Sequence, residues 1–85
     1  MTYDEADRIY RDVTPTTHIN LKNYIDCSDE FGLRKPKFGT DKIYKRMDKD
    51  YYICQQDIYF YYIGGIHKAK KYVEACNLIT EMCEG

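Results

Sequence analysis

The segment from Asp41 to Met82 constrains the fold more than any other part of the chain. It holds three short runs rich in β-branched and aromatic residues, then a Gly-Gly pair, then a longer amphipathic run. Such aromatic runs favour pleated strands. The polar breaks between them, at 48–50 and 55–57, are short enough to join antiparallel neighbours. The segment therefore predicts three antiparallel strands within 41–64.

Gly64 and Gly65 mark the change from strand to helix, since glycine accepts the backbone angles of a sharp bend. Apolar residues beyond them recur at spacings of three and four: Ile66, Ala69, Tyr72, Val73, Cys76, Ile79 and Met82. That spacing predicts one face of a helix near 67–82. A small sheet is marginal in water unless one face is covered, so we expect this helix to pack on it.

Strand alternation leaves the other face of the sheet open to solvent. Two registers of the third strand are possible, and the open face then carries either Tyr59 and Tyr61 or Phe60 and Tyr62. Aromatic residues there are typical of ordinary half-buried strand positions and also of contact surfaces. The sequence leaves both the register and this interpretation open.

A short helix is predicted at the amino terminus, capped by Thr2 or Asp4, with Ala6, Ile9, Tyr10 and Val13 as its apolar positions. It should end before Pro15, because the residue preceding a proline is disfavoured in the α region. The stretch Ile19–Ile25 fits a short helix or a strand equally well.

The 85 residues are predicted to form a single α+β domain. Its fold class is a three-stranded antiparallel sheet packed on one C-terminal helix, with a short N-terminal helix. Residues 1–40 form a helical N-terminal extension and a basic arm, and residues 41–85 form the βββα unit.

The composition and the spacing of particular residues argue against several classes of function. The chain has no apolar run of eighteen residues and no charged-then-apolar layout at its start, so we expect a cytoplasmic protein without a membrane span. The cysteines Cys27, Cys54, Cys76 and Cys83 are scattered without a CxxC pair, which favours reduced thiols over a metal site. His18 and His67 accompany no nucleophile motif, so neither an enzyme nor a cofactor is expected.

Positive charge is concentrated in the middle of the chain. Residues 34–72 hold ten basic and four acidic residues, a net charge of +6 within a chain whose net charge is −1. The stretch Phe31–Gly39 places Arg34, Lys35 and Lys37 around a proline. Such a basic arm can lie along a phosphate backbone, or it can be a linker that packs its two phenylalanines.

Four stretches between Lys42 and Asn77 follow one another as IYKR, YYIC, YYIGGI and KKYVEACN. In this order they resemble the small DNA-binding domain of plant ethylene-response factors, which also occurs in some phage integrases and homing endonucleases. The resemblance implies that the open sheet face reads the DNA major groove, with contacts from Lys45 or Arg46 and from Tyr62. This sheet departs from that family in being rich in tyrosine rather than arginine.

Two binding functions remain. The first is nucleic-acid binding, with DNA favoured over RNA, through Arg34, Lys35, Lys37, Lys45, Arg46 and Tyr62. The second is a small phage-type inhibitor or adaptor that binds a host protein, for example an anti-defence or anti-CRISPR-like protein, because an aromatic surface bearing arginine also suits a protein interface.

Overall fold

The fold is built on an antiparallel sheet with helices packed on one of its faces. The computed structural model describes residues 1–16, 21–34, 41–47 and 49–84, without the side chains of Leu21, Cys83 and Glu84. The elements in chain order are α1 (Tyr3–Arg11), β1 (Thr14–Pro15), the 3-10 helix η1 (Leu21–Asn23), β2 (Ile25–Asp26), α2 (Ser28–Phe31), β3 (Lys42–Arg46), β4 (Asp50–Gln55), β5 (Tyr59–Gly64) and α3 (Ile66–Glu84). The α+β class predicted from the sequence is confirmed, and none of the described helices has the length and apolar composition needed to cross a bilayer.

Within the described residues the sheet has five strands in the order β1-β5-β4-β3-β2, so the prediction of three strands was incomplete. The three predicted strands form its centre. β1 adds to one edge by pairing Thr14 with Tyr62, and β2 adds to the other by pairing Ile25 with Lys45. Each edge strand is only two residues long, too short to produce a periodic pattern in the sequence. Pro15 suits its edge position because it lacks the N–H that an inner strand would need.

One face of the sheet is covered by α3, as predicted. Ile43 and Ile53 are fully buried at the centre of the sheet, and Tyr72 and Val73 of α3 join them in the core. The Tyr72 hydroxyl is also buried and makes no hydrogen bond of good geometry with any described residue. A core of this kind supplies most of the stabilisation available to a chain of this size.

α1 joins α3 in the helical layer, whereas the sequence predicted a single covering helix. α1 packs against α3, and the Tyr10 ring stacks on the Tyr72 ring with centroids 5.9 Å apart. Gln55 Nε2 of β4 donates a hydrogen bond to the Tyr10 hydroxyl at 3.0 Å, which ties α1 to the sheet. Thr2 caps α1 by accepting a hydrogen bond from the Glu5 N–H.

The hairpin between β4 and β5 closes with a tight turn. Gln56 and Asp57 both have positive φ, at 55° and 62°, and the Ile58 N–H donates to the Gln55 carbonyl at 3.2 Å. Two consecutive residues of positive φ are a feature of type I′ turns, whose twist matches that of the flanking strands. The short turn fixes which residues of the two strands lie opposite one another.

A buried serine joins the edge strand β2 to the centre of the sheet. Ser28 is 2% exposed, and its hydroxyl donates to Asp26 Oδ1 at 2.7 Å while accepting the Ile43 N–H at 3.0 Å. The neighbouring Cys27 N–H donates to the Ile43 carbonyl at 2.9 Å. Ser28 therefore satisfies a main-chain donor of β3 that the short strand β2 leaves unpaired.

Replacing Ser28 with alanine is expected to lower the free energy of unfolding by about 1–3 kcal/mol, because the Ile43 N–H would stay buried without an acceptor. Urea unfolding followed by circular dichroism measures this change. Asp29→Ala, at an exposed position in the same short helix, is the control and should shift stability by only about 0.5 kcal/mol. Equal stability of Ser28→Ala and the parent chain would contradict the assigned role.

Candidate functional site

A row of tyrosines crosses the sheet face opposite α3. Tyr44, Tyr52 and Tyr62 are direct partners across β3, β4 and β5. Tyr24 reaches the same row from the segment before β2. We call these four residues the tyrosine face. The pairing settles the register that the sequence left open, since Tyr62 faces away from the helices, whereas Tyr61 packs against the core.

Three rings of the tyrosine face, those of Tyr24, Tyr52 and Tyr62, contact one another edge to face through Tyr52. The Tyr24 and Tyr52 centroids lie 5.2 Å apart with the planes at 80°, and those of Tyr52 and Tyr62 lie 5.3 Å apart at 61°. Contacts of this geometry contribute about 0.5–1.5 kcal/mol each beyond the buried area. Tyr52 is the centre of the row because it contacts both neighbours. The rings are therefore held in place before any partner arrives.

An arginine and an aspartate lie at one end of the tyrosine face. Arg46 and Asp50 are directly opposite each other in the β3–β4 pair. The Tyr62 hydroxyl donates to Asp50 Oδ1 at 3.2 Å. This hydrogen bond is the main cause that raises the pKa of Tyr62, because ionisation would place two negative charges side by side. Burial raises the pKa of Tyr52, and a hydrogen bond from Arg46 opposes that rise.

Replacing Asp50 with asparagine is expected to lower the pKa of Tyr62, since a neutral amide removes both the charged acceptor and the repulsion. Carbon-13 NMR of labelled tyrosine rings, titrated through the alkaline range, follows each phenol separately. Asp29→Asn removes a carboxylate elsewhere on the surface and should leave the Tyr62 titration unchanged. A Tyr62 pKa that does not move in Asp50→Asn would exclude this hydrogen bond in solution.

The structure separates the six residues that the sequence proposed for nucleic-acid contact. Arg46 and Tyr62 lie together through Asp50, as described above. Lys45 pairs with Tyr51 and Ile25, and strand alternation places it on the opposite face from Arg46. Lys35 and Lys37 belong to the stretch 35–40, which lies outside the described residues.

Arg34 is held on the helical side of the molecule. Its N–H donates to Asn77 Oδ1 at 2.8 Å, and its guanidinium lies 3.9 Å from a Glu81 carboxylate oxygen. Asn77 Nδ2 also donates to the Gly32 carbonyl at 3.0 Å, so one amide clamps the chain just before the arm. The described start of the basic arm therefore lies against α3, away from the tyrosine face.

The described part of the sheet face carries charges of both signs. The register places Lys42 and Arg46 on the same face as the tyrosines, together with Asp26 and Asp50. A duplex-binding surface is normally strongly positive because it must neutralise phosphates. Protein interfaces, in contrast, are enriched in aromatic residues and arginine at the centre and have a polar rim.

Tyr24, Tyr44, Tyr52 and Asp50 are residues of this face that the sequence analysis did not select. Tyr44 and Tyr52 could have been predicted from the sequence, because the short turns after β3 and β4 place positions 44, 52 and 62 opposite one another. Tyr24 gave no comparable signal, since it lies in the stretch 19–25 whose secondary structure was ambiguous.

The residues that the structure describes do not form a metal site. No group of three or more histidine, cysteine or carboxylate side chains there is placed to hold a metal ion. Cys27, Cys54 and Cys76 are buried free thiols, whereas His18 and the Cys83 side chain lie outside the described part. Comparisons with protein-family models, with curated proteins and with solved structures give no match for this chain.

Proposed function

We propose that this chain is a small, non-enzymatic binding protein of the cytoplasm that engages a protein partner through the tyrosine face. The observation that carries the proposal is the row of edge-to-face tyrosines on the face opposite the helices, with Arg46 and Asp50 at one end. Tyrosine and arginine are enriched among the residues that dominate protein-binding energy. A row that is already ordered also loses little side-chain freedom on binding.

The partner surface should be apolar at its centre and carry charges of both signs around it. Lys42 and Arg46 offer positive charges to acceptors on such a partner, and Asp50 offers a carboxylate to its donors or cations. A folded protein supplies such a mixture, whereas a polyanion supplies one sign only. An inhibitor or adaptor directed at a host protein, of the kind that phages encode, fits a small chain with an aromatic sheet face that bears an arginine.

Binding to a single-stranded nucleic acid is the second candidate. Tyr52 and Tyr62 lie side by side on central strands with Arg46 next to them, and exposed aromatics on a sheet can stack on unpaired bases. The arm cations Lys35 and Lys37 would supply phosphate contacts under this proposal. The resemblance to sheet-based DNA-binding domains supports it as well, although the mixture of positive and negative charges on this sheet face does not favour a duplex.

Both candidates are tested by one set of variants. The double variant Arg46→Ala, Tyr62→Ala, here called the face variant, alters the tyrosine face. Lys70→Ala on the exposed side of α3 is the matched control. Each chain is immobilised and exposed to host lysate, and each is also titrated with random-sequence single-stranded DNA, RNA and duplex DNA at two salt concentrations.

If the tyrosine face binds a protein, the parent chain and Lys70→Ala should retain one partner from the lysate that the face variant loses. The complex should also form again from the two purified proteins. Nucleic-acid binding would instead weaken steeply as salt rises, by a slope of about 0.7 log units per phosphate contact on single strands. If the face variant retains every partner of the parent, the tyrosine face is not the binding surface.

A further inference from the structure

A cleft of about 250 Å³ opens on the helical side of the molecule, away from the tyrosine face. It lies where the end of α1, the end of β5 and the first turns of α3 meet. Six residues line it: Ile9, Asp12, Ile63, Lys68, Lys71 and Tyr72. Its volume is below the roughly 300–1,000 Å³ of pockets that enclose drug-sized ligands, so it suits a smaller molecule.

The floor of the cleft is apolar and its rim is charged. Ile63 and Tyr72 are 6% and 1% exposed, so they form a fixed hydrophobic base. Lys68 and Lys71 are exposed and three residues apart on α3, which places both on the same side of the helix. Asp12 adds one negative charge, so the three ionic groups sum to a single positive charge.

The placement of these lysines is unfavourable for the helix itself. Lys68 and Lys71 lie in the first two turns of α3, where the helix dipole favours negative charge. The stem of Lys68 is also packed closely on the backbone, because a Cβ added to Gly64 would come within 2.8 Å of its Cδ atom. Gly64 therefore gives the lysine stem room to lie over the end of β5, beside the cleft.

We propose that this cleft binds a small organic anion with an apolar chain and one terminal carboxylate. The two ammonium groups bind the carboxylate, and Ile9, Ile63 and Tyr72 cover the chain. Asp12 disfavours ligands with a second negative charge near the rim. This site is separate from the tyrosine face, so the proposal does not depend on the identity of the protein partner.

Octanoate is the probe, with octanol and octylammonium as its neutral and cationic counterparts. NMR of isoleucine methyl groups reports the site directly, since Ile9 and Ile63 line the cleft. Ile25 is exposed on the far edge of the sheet and serves as the reference methyl. Octanoate should shift the Ile9 and Ile63 signals along a saturable curve, leave Ile25 in place, and bind roughly tenfold more tightly than octanol.

Variants locate the charge requirement. Lys68→Met and Lys71→Met should each weaken octanoate binding by roughly tenfold. Lys70→Met, on the same helix but outside the cleft lining, should leave it unchanged. Equal binding of octanol or octylammonium, a non-saturating shift that includes Ile25, or an equal loss in Lys70→Met would each overturn the proposal. The Arg46→Ala, Tyr62→Ala chain should bind octanoate normally, so failure here is distinct from failure of the protein-binding proposal.

Discussion

Raising the pH from 7 to 11 is expected to lower the free energy of unfolding steeply, because the fold buries neutral thiols. Burial raises the pKa of Cys76 to about 12 and that of Cys27 to about 11, from an ordinary value of 9.0. Above pH 9 the unfolded chain releases these protons while the folded chain retains them. Unfolding is then favoured by up to about 1.4 kcal/mol per pH unit for each thiol.

The pH window follows from these directions. Stability from the thiols is fully present below pH 9 and is lost as the pH rises through 11 and 12. Burial also raises the pKa of Tyr72 and Tyr10, which extends the loss above pH 10. A folded chain of 85 residues has little stability to spare, so it should unfold before the thiols of the folded state ionise.

Urea unfolding at pH 7, 9, 10 and 11, followed by circular dichroism, measures the effect. Cys76→Ala is the matched control, since it removes one titrating thiol. Its stability at pH 7 should be lower than that of the parent, and its decline between pH 9 and 11 should be shallower. Parallel declines in the two chains would show that the Cys76 thiol does not titrate abnormally, and a flat profile for the parent would contradict the burial of both thiols.

The three central strands and α3 were predictable because each produces a sequence pattern that extends over several residues. The aromatic runs and the apolar spacing of α3 together cover 41–82, and each element there is five residues or longer. β1 and β2 were not predictable, since each is two residues long and depends on pairing with a distant strand. The packing of α1 on α3 likewise rests on contacts such as Tyr10 with Tyr72, which are far apart in the sequence.

The solvent-exposed face of β5 could not be predicted from the sequence pattern. Tyr59–Ile63 is apolar or aromatic at every position, so the strand has no polar phase that would identify its solvent face. Its orientation is fixed instead by the turn after β4 and by an irregular pairing in which Tyr52 faces Tyr62 while Tyr51 faces Gly64. Ile63 follows Tyr62 and therefore lies on the opposite face of the strand, where it joins the core.

The candidate site was predicted in part. Arg46 and Tyr62 were selected from the sequence, and the structure brings them together through Asp50. The separation of Lys45 from Arg46 was predictable, because neighbouring residues of a strand point to opposite faces of the sheet. The position of Arg34 could not be foreseen, since it depends on an amide in Asn77, 43 residues further along the chain.

Replacing Tyr52 with alanine is expected to have the largest effect on partner binding. Tyr52 pairs with Tyr44 and Tyr62 in the sheet, and its ring also contacts that of Tyr24. Its loss would open a hole at the centre of the tyrosine face and free both neighbouring rings. Central interface residues of this kind contribute about 2 kcal/mol or more, so affinity for the protein partner should fall roughly 30-fold or further.

The control is Tyr59→Ala, which removes an exposed tyrosine at the start of β5, outside the row. Titration calorimetry with the purified partner compares both variants with the parent, and urea unfolding checks that each is folded. Tyr52→Phe, which keeps the ring and loses the hydroxyl, should retain most of the affinity if ring packing dominates.

If Tyr52→Ala binds the partner as tightly as Tyr59→Ala does, the partner contacts another surface. If its binding loss appears only with single-stranded nucleic acid, at about 1–3 kcal/mol for one stacked base, the tyrosine face is a base-stacking platform rather than a protein interface.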